Sequence, residues 1–330
     1  MKMSVSDLGE RGIIDLIWSI MERDGHLSGQ ILPPSDDASA LLLSDGTYLV
    51  LKADMFVKMT DAPKGMPSCH MGAKAVTMNM SDLASKGARP WAFLFSLGVP
   101  RKYPQKDLRD LISGLSSATK EYGAQVLGGD VGEARDLIIS GFAVGIAKNL
   151  VRRSGASPGD IIAVTGEFGN TAAAYKILLE GMKAPRRLKS ALCRSVYEPR
   201  AKVSLGVALA ESGTVTSSMD SSDGLAFTLN ELSKSSRVSF RITNLPVSKE
   251  ACEFASIYKI SPEDLALYGG EEYELVLTIK QDKWAEASKV AESVGGRLIR
   301  IGEVLPGSKV FLAKGHEEVE IPPKGWEHLR

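Results

Sequence analysis

The acidic residues of this chain stand where a backbone can converge on a ligand. Asp36 and Asp37 lie in Ser35-Asp36-Asp37-Ala38, ahead of an apolar run. Asp54 ends the run Tyr48-Leu49-Val50-Leu51-Lys52-Ala53, and Asp82 sits in Asn79-Met80-Ser81-Asp82-Leu83-Ala84. Asp130 closes Val126-Leu127-Gly128-Gly129-Asp130, Asp220 and Asp223 flank Ser221-Ser222, and Glu271 follows Gly269-Gly270. Carboxylates packed together repel and need a counter-charge. An oxygen-only donor set, without His or Cys, fits Mg²⁺ better than zinc or copper. Mg²⁺ in turn keeps open positions for water and substrate phosphates, so metal-bridged phosphate chemistry is the natural use of such a set. A lone Asp at a strand end is more often a turn residue or a helix cap. Asp45, and Asp160 after Pro158-Gly159, are read that way. Neither Asp36-Asp37 nor Asp82 would outweigh that reading alone; the conjunction of motifs in one chain does.

Other routes to phosphate chemistry are missing from the sequence. It has no Gly-Lys dipeptide, hence no G-x-x-x-x-G-K-[ST] loop, and no G-x-G-x-x-G, protein-kinase set or Gly-x-Ser-x-Gly elbow. The three cysteines, Cys69, Cys193 and Cys252, form no CxxC pair and read as reduced thiols. Lys plus Arg and Asp plus Glu are 40 each, so no net field draws in nucleic acid or an anionic membrane. Residues 1–25 carry Glu10, Arg11, Asp15, Glu22, Arg23 and Asp24, a pattern foreign to a signal peptide, and no apolar run is long enough for a membrane span. A cytoplasmic protein is expected.

The elements that must position the carboxylates follow from periodicity. Ile13, Leu16, Ile17, Ile20 and Met21 predict an amphipathic helix over 6–23, stopped by Gly25. Residues 38–43 and 47–53 predict a hairpin around Asp45-Gly46. Helices over 70–86 and 105–121, a buried strand over 91–99, a short strand over 125–127 and a long one over 137–147 complete the order αββαβαββ. The turn formers of 152–160 mark a boundary, giving domains 1–149 and 150–330. In the second, strands (161–165, 236–243, 273–279, 297–302) mix with helices (170–181, 201–212, 224–234, 282–294). This argues for α+β rather than a doubly wound sheet.

In this order the motifs resemble those of the thiamine-monophosphate kinase family. Its superfamily also holds aminoimidazole ribonucleotide synthetase, selenophosphate synthetase and a hydrogenase maturation factor. The resemblance runs from about residue 6 to the C-terminus. Beyond the motifs above it includes Asp54-Met55, Gly87-Ala88-Arg89-Pro90, Arg153-Ser154-Gly155-Ala156 and Asp220-Ser221-Ser222-Asp223-Gly224-Leu225. Gly269-Gly270-Glu271-Glu272-Tyr273-Glu274-Leu275 and Gly325-Trp326-Glu327-His328 favour the thiamine branch. The resemblance implies an aminoimidazole ribonucleotide synthetase-like two-domain α+β fold. Its N-terminal mixed sheet would pair with a partner subunit in a homodimer, and its site would lie between the domains. It also implies an enzyme, a kinase, passing the ATP γ-phosphoryl group directly to thiamine monophosphate. Carried over by position, Asp37, Asp54, Asp82, Asp130, Asp220 and Asp223 would hold several Mg²⁺ ions. Gly129, Asp130, Arg153 and Ser222 would contact ATP. Glu271, Trp326 and Asp61 would contact the acceptor, with Trp326 suited to a flat cationic thiazolium.

The chain departs from the family in places. Ser35 replaces the usual Gly of Gly-Asp-Asp-Ala, and Lys52-Ala53-Asp54 replaces Thr-Thr-Asp. A lysine there would replace part of the cation charge, leaving the number of Mg²⁺ ions open. Lys58 and Asp61 stand where a Glu and a His are usual, and nearby His70 reads as a helix-start residue. Two alternatives remain at this stage: a sister ATP-using enzyme acting on another small acceptor, and a non-catalytic nucleotide-binding homologue. No Cys precedes Cys69 and none ends the chain, which counts against the selenophosphate and carbamoyl-accepting branches.

Overall fold

The computed structural model describes residues 4–25, 31–327 and 329, so His328 of the C-terminal motif lies outside the described residues. The first half runs α1 (Val5–Arg23), β1 (Ser39–Leu42), β2 (Tyr48–Val57), α2 (Lys58–Asp61), α3 (Ser68–Ser85), β3 (Arg89–Val99), α4 (Gln105–Glu121), β4 (Gln125–Glu133) and β5 (Ile138–Ala147). This is the expected order with one added turn of helix, α2. The β1–β2 turn closes as Asp45-Gly46 foretold. Gly46 adopts φ +83°, and the Asp45 carboxylate accepts from the Thr47 N–H at 3.0 Å.

These strands make a mixed sheet in the order β1-β2-β5-β3-β4, antiparallel except for β3 against β4. Helices α3 and α4 cover one face only. The strand over 91–99, expected to be buried from its apolar content, is therefore buried on one face only. Phe93 and Leu97 point into the core while Trp91 and Leu94 are exposed. β4 also runs six residues past its expected end, because Gly128-Gly129 continue the parallel pairing with Leu94 and Phe95 instead of turning.

The second half runs β6 (Ile161–Val164), α5 (Asn170–Leu178), α6 (Arg186–Tyr197), α7 (Val203–Ser212), β7 (Val215–Asp220), α8 (Leu225–Ser236), β8 (Ser239–Ile242), α9 (Lys249–Tyr258), α10 (Pro262–Tyr268), β9 (Leu275–Ile279), α11 (Trp284–Ser293), β10 (Ile299–Leu305), β11 (Val310–Lys314) and β12 (Glu317–Glu320). Its sheet has the order β12-β11-β8-β10-β6-β9-β7, antiparallel except for β11 against β8. Both halves are thus α+β with mixed sheets.

One apolar core crosses from half to half. Met80 and Leu83 of α3 share it with Leu205 and Leu209 of α7 and with Leu275 and Leu277 of β9. The approach of α7 depends on Gly206, where a Cβ would stand 2.1 Å from the Ala84 carbonyl oxygen. No described helix is long and apolar enough to cross a membrane.

Candidate active site

The pleat of β2 turns Lys52 and Asp54 to the same side, toward α3. Asn79 of α3 accepts from the Asp54 N–H at 3.1 Å and donates to the Ala75 carbonyl at 3.0 Å. Gly141, opposite Asp54 on β5, makes room for it: a Cβ there would lie 2.6 Å from Asn79 Nδ2. Asp82 follows Asn79 by nearly one helical turn and so shares its face. Lys52 Nζ lies 3.1 Å from Asp82 Oδ2 and 3.5 Å from Asp54 Oδ1.

Two α3 hydroxyls draw in the remaining acids. Ser81 Oγ donates to Asp220 Oδ2 at 2.7 Å, and Ser85 Oγ donates to Asp37 Oδ2 at 2.6 Å. Asp37, Asp82 and Asp220 each present a carboxylate oxygen, all within 4.8 Å of one another, and all three residues are buried. Buried Lys86 lies 2.6 Å from Asp36 and 2.9 Å from Asp37. Arg153 donates from Nε to Asp37 at 2.8 Å, and its backbone N–H donates to Asp36 at 3.1 Å.

The electrostatics follow from this crowding. Burial pushes Asp220 up to about 7, reinforced by Asp37. Burial also holds Asp82 well above the carboxylate range, against the pull of Lys52 and with repulsion from Asp220 and Asp54. Burial raises Asp223 to about 6, helped by Glu10. For Asp37 burial acts in the same sense but Arg153 and Lys86 overcome it, leaving its carboxyl well below the usual range. Burial disfavours the Lys52 ammonium, yet Asp54 and Asp82 hold its pKa above the ordinary value. Beside Asp220, Ser221 Oγ is buried with no hydrogen-bond partner. Close carboxylates pushed toward protonation and an orphaned hydroxyl fit a hard divalent cation.

A second constellation sits further along α3. Lys74 is fully buried eight residues before Asp82, about 12 Å along the helix axis. Its Nζ lies 2.6 Å from Glu271 and donates to the Asp61 carbonyl at 2.8 Å. Tyr175 Oη of α5 also donates to Glu271. The 269–274 loop is zipped to the 220–224 loop: the Glu271 N–H donates to the Ser222 carbonyl at 2.6 Å and the Tyr273 N–H to the Ser221 carbonyl at 3.0 Å. Glu271 takes φ +64° and Tyr273 φ +52°, left-handed conformations that are costly for residues with side chains and that the tether holds in place. Trp326 donates its N–H to the Asp223 carbonyl at 2.9 Å, and its side chain is 56% exposed, so it is not tucked into the core.

Asp37, Asp82 and Asp220 therefore converge, Asp54 joins them through Lys52, and Ser222 and Asp223 lie in the adjoining loop. Arg153 is engaged with Asp37 and Asp36. Asp61 and Glu271 meet at Lys74, although the Asp61 carboxylate itself accepts from the Val57 N–H at 2.6 Å. Asp130 is placed apart from the cluster. It pairs with Ser96 on exposed β4, in register with Ser140 and Met55, on the sheet face turned away from α3. Gly129 lies beside it at that edge. Sequence reasoning missed Lys74, Lys86, Tyr175, Ser81 and Ser85. A lysine amid the apolar residues Met71, Ala75 and Val76 was the available signal for Lys74.

Two family models match: AIR synthase related protein, N-terminal domain, over 35–147, and its C-terminal domain over 157–314. Thiamine-monophosphate kinase of Pyrococcus horikoshii is 36% identical over 313 residues, covering 94% of each chain. That of Aquifex aeolicus is 30% identical over 99% of this chain and all of its own length. Among solved structures, AaThiL complexed with AMPPCP and TMP superposes with TM-score 0.86 at 28% identity, covering 99% of each chain. Hydrogenase maturation protein HypE in complex with ATP, at 20% identity and TM-score 0.65 over 96% of each chain, shares the fold. Identity of this degree over nearly the whole length, with both domain models matched, makes the chain a member of the thiamine-monophosphate kinase family within the AIR synthase related proteins.

Proposed function

We propose that this enzyme phosphorylates thiamine monophosphate to thiamine diphosphate by direct, in-line, Mg²⁺-assisted transfer from ATP. The carrying observation is the convergence of Asp37, Asp82 and Asp220 beside Asp54, at one end of a helix whose other end meets Glu271. A solved relative is described as complexed with AMPPCP and TMP, which supports the two substrates. In this reading Asp37, Asp54, Asp82, Asp220 and Asp223 hold Mg²⁺. The bound ions would neutralise and orient the phosphates.

Arg153 exchanges part of its carboxylate contact for nucleotide phosphate, and Ser222 contacts ATP from the adjoining loop. Glu271, Asp61 and Trp326 serve the acceptor end, with the indole face offered to the thiazolium cation. An acceptor phosphate oxygen forms the new bond to the γ-phosphorus as the bond to the ADP oxygen breaks. The attacking oxygen is already an anion, so no side chain need remove a proton and no phosphoenzyme forms. Positioning and charge neutralisation carry the rate.

We further propose domains 1–149 and 150–330, a cytoplasmic location, and a homodimer joined through the N-terminal sheet. The exposed Met55, Leu94, Leu127, Val131 and Phe142 of that sheet support the pairing. Asp130 and Gly129 would then serve nucleotide and metal from the pairing edge. An ADP-release assay across a panel of phosphorylated acceptors tests the activity. Turnover with thiamine monophosphate well above its analogues is expected; its absence, or a phosphorylated residue on the reaction path, would overturn the reading.

A further inference from the structure

The acidic cluster already contains cations of its own. Five carboxylates, Asp36, Asp37, Asp54, Asp82 and Asp220, are gathered with Lys52, Lys86 and Arg153. With all of them ionised, and with Glu231, 4.0 Å from Arg153, counted as well, the carboxylates outnumber the bases by three, an excess that calls for an added cation. The three bases are not equivalent. Lys86 and Arg153 hold Asp36 and Asp37 from the side of Ser218 and Ser35. Lys52 alone lies between Asp54 and Asp82, two carboxylates that would otherwise face each other across the β2–α3 junction.

Its stem rises from β2 one residue past the last β1 pair, Lys52 lying opposite Ala143 on β5, and its side chain is only 20% exposed. An ammonium fixed at hydrogen-bond distance from Asp82 Oδ2 takes up a lone-pair direction that a metal would need. It also lowers the negative potential that would draw in a further ion.

We propose that Lys52 is a built-in counter-cation occupying the place of one divalent ion between Asp54 and Asp82. Lys52 is thus a positioning residue that fixes both carboxylates and limits metal loading. The carboxylates of Asp37, Asp82 and Asp220 then accept a single divalent ion before nucleotide arrives. This inference rests on the metal-assisted reading above, but its test does not need turnover.

The test is Mn²⁺ binding to the full chain, followed by electron paramagnetic resonance and by calorimetry at pH 8, without nucleotide. Wild type should bind one ion per chain at the cluster. Lys52→Met, which keeps the stem and removes the charge, should bind two, and Lys52→Thr likewise. Lys52→Arg should remain at one. Metal-free Lys52→Met should melt several degrees below wild type and recover with Mn²⁺. Equal stoichiometry and affinity in wild type and Lys52→Met, or two ions in wild type, would overturn the inference. A Lys52→Met that is too unstable leaves the decision to Lys52→Thr and Lys52→Arg titrated in the cold. Absence of Mn²⁺ binding in wild type would sink both readings. Normal Mn²⁺ counts without ADP release would sink the kinase reading alone.

Discussion

At the residue scale, the acids of the cluster have opposed obligations. Under the proposed reading Asp220 is a ligand, a role it fills only when ionised, yet burial and Asp37 push it up to about 7. Asp220→Asn should therefore do two things at once. It should cut ADP release by at least about 100-fold, and it should raise the melting temperature of metal-free protein by relieving repulsion. Calorimetric scans with and without Mg²⁺ check the second effect, and a lowered metal-free melting point would contradict it.

Glu272 gives a pH signature away from the metal cluster. Burial pushes it up to about 7 although it accepts from the Gly169 N–H at 2.7 Å and the Thr171 hydroxyl at 2.9 Å. In the unfolded chain it ionises near pH 4.5, so between about pH 4.5 and 7 the folded state binds the extra proton. Stability from this group is greatest at low pH and falls as pH rises through that interval. Glu272→Gln should flatten the decline in melting temperature between pH 5 and 8; an unchanged slope would show that the proton is taken up elsewhere.

Lys74→Met should raise the KM for thiamine monophosphate, because Glu271 and the Asp61 carbonyl lose the ammonium that gathers them. Steady-state kinetics with ATP and acceptor varied separately would reveal it. A change confined to ATP would be contrary to the assignment.

At the scale of elements, α3 organises both constellations, and its packing is exacting. Gly206→Ala would drive a methyl into the Ala84 carbonyl at 2.1 Å. A loss of about 1–3 kcal/mol in urea unfolding is expected, since backbone on both sides must shift. What could be read beforehand follows the same logic. The helices over Val5–Arg23, Ser68–Ser85 and Gln105–Glu121 declared themselves because one face of each alternates apolar residues at helical spacing. β7, Val-Thr-Ser-Ser-Met-Asp, carries no such pattern. It is held by hydroxyl pairs, Ser217 and Thr216 each bonding Thr278 on β9, a partner more than 60 residues away. α10 is seven residues long, too short for periodicity to show. The acids of the site were visible because Asp beside Gly or at a strand end stands out. Lys74, Tyr175 and Lys86 were not, since their importance lies in partners 197, 96 and 132 residues distant.

At the scale of the whole molecule, the two halves are bound by a shared core, while the outer face of the N-terminal sheet stays bare. Val131, 68% exposed on edge strand β4 beside that face, is the most open apolar residue of the sheet's strands. Val131→Glu should shift the sedimentation of the protein from dimer toward monomer, and a wild type already monomeric at micromolar concentration would remove the proposed pairing. Asp130 lies next to it in sequence, so the same variant should weaken nucleotide binding if that edge serves ATP.

The spacing of Lys74 and Asp82 on one uninterrupted helix has a consequence for selectivity. A straight rod about 12 Å between those marks behaves as a gauge. Under the proposed reading, the ring end of a guest is gripped at one mark and its phosphate must reach the other. Phosphorylated molecules with a shorter or longer body would fall out of register however well either end were bound, so discrimination would come from length as much as from chemical recognition.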